Sequence, residues 1–181
     1  YGNHKEVGEA QLKSEVDRSE VWITSKVWRD ALHYDSVLRQ CDLALAELGT
    51  DYLDLYLIHW PNEDIPLADT FRAFAQLLRD GKIRHAGVAN FTVARLKRAL
   101  SVAEIPLLMN QVEYHPYLNQ EHLRAFCQAH DIAVTAYCPI ARGDVNNDPV
   151  FQGVAQSHGV TPTQVALRWL LQKGIVAIPK S

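Results

Sequence analysis

The stretch Tyr52-Leu53-Asp54-Leu55-Tyr56-Leu57-Ile58-His59-Trp60-Pro61 is a nearly continuous apolar run that ends on an imidazole followed by a helix breaker. Branched and aromatic residues in an unbroken run predict a strand buried on both faces, the kind that helices cover in a parallel sheet. The run also predicts chemistry at its C-terminal tip, where His59 replaces apolar side chains. The rest of the chain repeats this arrangement, with a polar or reactive residue closing almost every strand-like segment.

Read in order, the chain alternates two periods. A helical pattern covers His4 to Lys13, with Asn3 as its N-cap. Val21 to Trp28 has the composition of a strand, and Asp35 is placed to cap a helix ending at Leu48. The strand Tyr52 to His59 follows, then a helix from Leu67 to Arg79 stopped by Asp80-Gly81-Lys82, and a short strand from Ala86 to Ala89. Thr92 caps a helix to Leu100, Leu107 to Glu113 is a strand, Gln120 to His130 a helix and Ile132 to Tyr137 a strand. Two helices start after Asp148-Pro149 and at Thr161-Pro162, where proline suits the first turn. Ile175 to Ile178 is the last strand.

Six strands alternating with helices at about 30-residue spacing predict right-handed βα units and a parallel sheet. An open doubly wound sheet normally carries a glycine-rich phosphate turn after its first strand, and no G-x-G-x-x-G occurs here. A (β/α)8 barrel needs eight strands and typically about 250 residues. The reading is therefore a single α/β domain over residues 1–181 holding about six of the eight βα units of such a barrel, the central piece of a longer chain.

Composition narrows the partners. With 181 residues, net charge -3, 48% hydrophobic and 22% charged residues, the chain is large enough to bury a core. Its Lys and Arg residues are scattered and balanced by acids, and no apolar run approaches a bilayer span, so neither nucleic acid nor membrane is expected. A monomer in the cytoplasm is the expected state. Cys41, Cys127 and Cys138 have no metal-like spacing; Cys41 and Cys127 read as reduced, packed thiols, and no metal site is expected.

The strand-like segments end at Lys26, His59, Asn90, Gln111, Tyr137 and Lys180. In parallel βα units these ends share one face, where barrel enzymes place their active sites. Each has an ordinary reading alone: a snorkelling or terminal lysine, a hydrogen-bonded ring, a helix cap, a satisfied loop amide, a packed tyrosine. Their coincidence at one rim is what argues for a site. No nucleophile elbow, metal cluster or close carboxylate pair is present. A phenol, an ammonium and an imidazole suit proton transfer to or from oxygen, because a lysine beside a tyrosine lowers the phenol pKa. That is carbonyl reduction, given a hydride donor.

These residues sit in motifs that resemble the aldo-keto reductases. The segments are Tyr1-Gly2-Asn3 with Val7-Gly8, Ile23-Thr24-Ser25-Lys26-Val27-Trp28, Leu57-Ile58-His59-Trp60-Pro61, Gly87-Val88-Ala89-Asn90-Phe91, Asn110-Gln111-Val112-Glu113-Tyr114-His115-Pro116-Tyr117, Ala136-Tyr137-Cys138-Pro139-Ile140-Ala141-Arg142-Gly143 and Ile178-Pro179-Lys180-Ser181. They span the chain in order and look closest to the bacterial branch with the 2,5-diketo-gluconate reductases. The resemblance implies a (β/α)8 barrel binding NADPH without a Rossmann domain. It assigns Tyr1 as general acid, Lys26 as the residue that tunes it and His59 as the ring that orients the carbonyl. It gives Asn90 and Gln111 the nicotinamide carboxamide, Tyr137 the nicotinamide face, and Cys138 and Ile140 further cofactor contacts. Lys180 and Ser181 fall to the adenosine 2′-phosphate, and Trp28 and Trp60 to the wall of a pocket for small aldehydes and ketones.

The match has departures. The family's aspartate partner of the lysine lies just before the tyrosine, and an arginine of the phosphate site lies beyond Ser181. Ala89 and Cys138 stand where serines are usual. Two other readings remain open at this stage: a nucleotide-sensing barrel subunit of the kind attached to potassium channels, and a Schiff-base aldolase using Lys26.

Overall fold

The computed structural model describes residues 2–180, so Tyr1 and Ser181 lie outside the described residues. The chain forms two compact units, Tyr1–Ala89 with Ala94–Leu108, and Asn90–Val93 with Met109–Ser181. Among the described residues no helix is long and apolar enough to cross a membrane.

The first unit carries α1 (His4–Lys13), β1 (Thr24–Val27), α2 (Tyr34–Leu48), β2 (Leu53–Ile58), α3 (Leu67–Arg79), β3 (Ile83–Ala89) and most of α4 (Val93–Val102). Strands β1, β2 and β3 pair in parallel, with Lys26 opposite Leu57 and Leu57 opposite Gly87. Every residue of β2 is buried, as its unbroken apolar pattern requires. Phe71, Phe74 and Leu77 of α3 and Val37, Cys41 and Leu45 of α2 supply the covering core, and Tyr56 meets Phe74 with ring centroids 5.3 Å apart.

One residue breaks the apolar pattern of β2. Asp54 is 3% exposed and takes the backbone N–H of Ile23 at 2.9 Å, Arg18 at 2.9 Å and Arg84 at 3.2 Å. Both guanidiniums also cover the Tyr52 ring, at 4.1 and 3.8 Å from its centroid. A buried carboxylate holds only when its oxygens are paired in this way. The same network explains why β1 begins at Thr24 and not at Val21. A short 3-10 turn occupies Arg18–Glu20, the Val21 carbonyl accepts from Arg18, and the Ile23 N–H is given to Asp54. Trp22 lies outside the strand and stacks on His85 at 5.6 Å.

The second unit carries β4 (Leu107–Glu113, from Met109 onward), α5 (Glu121–Gln128), β5 (Ala133–Tyr137), α6 (Pro149–His158), α7 (Pro162–Gln172) and β6 (Val176–Ala177). β4 pairs with β5 and β5 with β6, all parallel. Asp148 caps α6 through the N–H of Val150, and Thr161 and Gln164 form a full capping box on α7. Between β5 and α6 the chain makes a 3-10 stretch, Ala141–Asn147, broken by left-handed Arg142 and Gly143.

Several boundaries differ from the sequence reading. α2 starts at Tyr34 with His33 at the N-cap position, and Asp35 lies in the first turn, where its charge suits the helix dipole without capping it. β3 begins earlier, at Ile83, because its exposed Arg84 and His85 are paired to side chains of the unit. α5 ends at Gln128, since Asp131 turns left-handed (φ 55) and Ile132 bonds back to Cys127. Cys41 and Cys127 are buried free thiols, pushed up by burial to about 12 and about 11 respectively.

Candidate active site

In the first unit the predicted residues gather where β1 and β2 end side by side. Lys26 is the third residue of β1, on the face opposite the buried Ser25 and Val27. His59 follows β2 directly, and its backbone N–H donates to the Val27 carbonyl at 3.0 Å. That bond extends the parallel ladder by one residue and brings the imidazole level with the end of the lysine strand. The Trp28 ring then meets His59 edge-to-face, centroids 4.9 Å apart at 81°.

Burial lowers the Lys26 ammonium below its ordinary range, and among the described residues no carboxylate pairs with it. His59 is lowered as well, first by burial and then by the charge of Lys26. Both shifts favour uncharged groups: a neutral imidazole, able to donate one hydrogen bond and accept another, beside a lysine whose proton is less tightly held. Trp28 and Trp60 remain 51% and 40% exposed, which leaves large aromatic faces open beside these groups.

In the second unit a different set converges. Asn90 adopts a left-handed conformation (φ 64), tolerable for asparagine because its short amide is unhindered there. Its backbone N–H donates to the Gln111 carbonyl at 2.9 Å, and its Oδ1 accepts from the Tyr137 hydroxyl at 2.9 Å. Tyr137 ends β5 opposite Glu113, and burial, with the Glu113 carboxylate second, raises its phenol. The phenol therefore stays protonated and keeps donating to Asn90. The side-chain amide of Gln111, on a residue only 6% exposed, makes no hydrogen bond among the described residues.

Asn110, next to Gln111 in β4, has a structural role of its own. Fully buried, it donates from Nδ2 to the Phe91 carbonyl at 2.9 Å and accepts from the Phe91 N–H. The turn carrying Asn90 is thus pinned to β4. A buried amide inside a strand is the signal that points to such a clamp. After Tyr137 the backbone is left-handed at Cys138, Ala141 and Arg142 (φ 49, 48 and 55), a run of non-glycine residues in a sparsely populated region. Cys138 and Ile140 are half-buried in this loop, and Lys180 is exposed beyond β6. Tyr1 and Ser181, the proposed acid and a proposed phosphate contact, lie outside the described residues.

Comparison with known proteins bears on both sets. Residues 1–181 match the aldo/keto reductase family throughout. A glyoxal reductase of Bacillus subtilis is 45% identical over the whole chain, which spans 65% of that protein's length. The crystal structure of a putative 2,5-diketo-D-gluconic acid reductase B superposes with a TM-score of 0.97 at 39% identity, covering all of this chain and 65% of that one. An aldo/keto reductase of Klebsiella pneumoniae, solved with NADP and acetate, superposes with a TM-score of 0.92 at 33% identity, covering 99% and 65%. The six parallel strands are accordingly six of the βα units of a (β/α)8 barrel, of which this chain is a part. Family match, fold and motif order agree from one end of the sequence to the other, and the chain belongs to the aldo/keto reductase family.

Proposed function

We propose that the protein to which this chain belongs reduces small aldehydes and ketones to alcohols with NADPH. The observation that carries the reading is the pair of depressed groups at the ends of β1 and β2, Lys26 and His59, with Trp28 packed on the imidazole. While it carries its proton, the Lys26 ammonium favours the ionised form of a neighbouring phenol, so a tyrosine beside it, the role read for Tyr1, would release a proton more readily than a free tyrosine. Neutral His59 donates a hydrogen bond to the carbonyl oxygen, fixes its direction and holds it for protonation by Tyr1. Trp28 and Trp60 offer the apolar surface that small carbonyl compounds require and keep water from the reacting oxygen.

The residues of the second unit fit the cofactor. NADPH, when bound, supplies the hydride. The Gln111 amide, without a hydrogen bond among the described residues, offers donor and acceptor to a carboxamide, and Asn90 is held for the same task by its bond from Tyr137. That bond also restrains the Tyr137 ring, whose aromatic face suits stacking on a planar heterocycle. Lys180 and Ser181 suit a 2′-phosphate, which gives the preference for NADPH over NADH. The NADP-bound Klebsiella relative supports this choice.

The test is NADPH oxidation by the full-length protein with methylglyoxal and with an aromatic aldehyde, with Tyr1→Phe in parallel. Turnover abolished by the substitution is expected; equal turnover in both refutes Tyr1 as the acid. A lysine with a lowered pKa also suits Schiff-base chemistry. Borohydride trapping with a ketone labels Lys26 only in that case, and no label is expected.

A further inference from the structure

The first turn of α1 is held at two points. His4 engages both ring nitrogens, Nδ1 at 3.1 Å from Oε2 of Glu47 on α2 and Nε2 at 3.0 Å from Oγ of Ser25 on β1. A carboxylate only accepts, so Nδ1 carries a proton and donates to Glu47. In the neutral ring Nε2 is then the acceptor, and the Ser25 hydroxyl donates to it. One turn later Gly8 is buried against Leu48, where a Cβ would lie 2.4 Å from the Leu48 carbonyl oxygen. The helix therefore cannot move inward, and the His4 bridge keeps it from moving along or away from β1.

The location of this bridge is what gives it a consequence. Ser25 is 5% exposed and is the chain neighbour of Lys26. His4 is three residues from Tyr1, a length of chain that reaches at most about 11 Å. The ring thus ties the segment that begins with the proposed acid to the strand that carries its proposed partner. Neither Glu47 nor Ser25 has any other side-chain bond among the described residues, so no second side-chain bond among them replaces the tie.

We propose that His4 is a positioning residue, which by bridging Glu47 and Ser25 fixes the start of α1, the segment that follows Tyr1 in the chain, against the strand that carries Lys26. The proposal rests on the reading of Tyr1 as general acid. Its effect falls on proton transfer and not on cofactor affinity, because the residues suited to NADPH lie on other elements.

The test is steady-state kinetics of the full-length protein carrying His4→Ala, His4→Gln, Ser25→Ala or Tyr1→Phe. His4→Ala is expected to lower kcat about tenfold, the scale of a small misplacement of a catalytic group, with KM for NADPH unchanged. His4→Gln keeps one donor and one acceptor and is expected to restore most of the loss. A folded His4→Ala protein with parental kcat overturns the proposal, as does a loss that appears in KM for NADPH alone. If His4→Ala does not fold, Ser25→Ala decides, since it removes only a hydroxyl: reduced kcat supports the tie and parental kcat overturns it. Tyr1→Phe separates the two readings. An inactive Tyr1→Phe beside an unaffected His4→Ala refutes the positioning role alone, whereas an active Tyr1→Phe refutes the acid assignment beneath it.

Discussion

Replacing glycine by alanine inside a helix normally stabilises it by about 1 kcal/mol, because alanine has less backbone freedom to lose. Two glycines here are expected to respond with opposite signs. At Gly153 in α6, an added Cβ meets nothing within 4 Å, so Gly153→Ala should show the ordinary gain. At Gly8 in α1 the added Cβ would stand 2.4, 2.7 and 2.9 Å from the oxygen, carbonyl carbon and Cα of Leu48. The obstacle is backbone, which cannot swing aside as a side chain does. Relief to an ordinary contact of 3.4 Å needs α1 to move out by about 1 Å, a shift of overpacking type that costs about 1–3 kcal/mol. The same movement stretches the bonds from His4 to Glu47 and Ser25, now 3.1 and 3.0 Å, out of hydrogen-bonding range. With about 1 kcal/mol added for the two lost hydrogen bonds and the helix gain of about 1 kcal/mol subtracted, Gly8→Ala should destabilise by about 1–3 kcal/mol. Urea unfolding of the full-length protein and of both variants, followed by circular dichroism, reads the two signs. A Gly8→Ala protein as stable as the parent would refute the packing argument, and an unstable Gly153→Ala would refute the reasoning that separates the sites.

Asp54→Ala should cost about 3–5 kcal/mol in the same assay, because Arg18, Arg84 and the Ile23 N–H lose a shared buried acceptor; Asp54→Asn, which still accepts from Ile23, should cost less. Glu121 is held down to about 2 by Lys173 first, then Tyr114 and Arg124. A depressed carboxylate contributes stability above its unfolded value of 4.5 and loses it as pH falls toward 2, so Glu121→Gln should flatten that part of the acid unfolding curve. His59 should titrate below 6.5 by NMR, and Lys26→Met should move it back up, since a neighbouring positive charge is removed. Because the folded form binds that proton less tightly than the unfolded one, His59 makes stability fall as pH drops below 6.5.

The strand alternation was readable because each βα unit writes its own period into the chain. β2 stood out most plainly, and Asp148-Pro149 and Thr161-Pro162 announced α6 and α7 through capping chemistry that acts within four residues. What failed depended on partners distant in sequence. Val21 to Ile23 has strand composition, but the Val21 carbonyl goes to the nearby Arg18 side chain and the Ile23 N–H to the Asp54 carboxylate, 31 residues away. Asp54 breaks the apolar run with no local sign of its partners, since the two arginines that donate to it, Arg18 and Arg84, come from separate segments. Asp35 had the right type for a cap but lies two residues past the N-cap position, His33. Of the expected strand-end residues, His59 and Asn90 directly follow β2 and β3 and Tyr137 closes β5, whereas Gln111 lies inside β4 and Lys180 three residues past β6. The clamp of Asn110 on Phe91 and the bridge of His4 were not legible, because a polar residue beside a motif looks the same whether it is solvated or holding two elements together. The left-handed run after Tyr137 was likewise invisible, having no glycine at Cys138, Ala141 or Arg142 to mark it.

The measurement that bears most directly on the proposed chemistry is isotope transfer. The full-length protein is given a small aldehyde and NADPH deuterated at the nicotinamide carbon that gives up hydride, and the alcohol is examined by mass spectrometry and NMR. The account predicts one deuterium on the former carbonyl carbon in the parent and negligible alcohol from Tyr1→Phe. Alcohol without deuterium, or labelled alcohol made equally well by Tyr1→Phe, would contradict it.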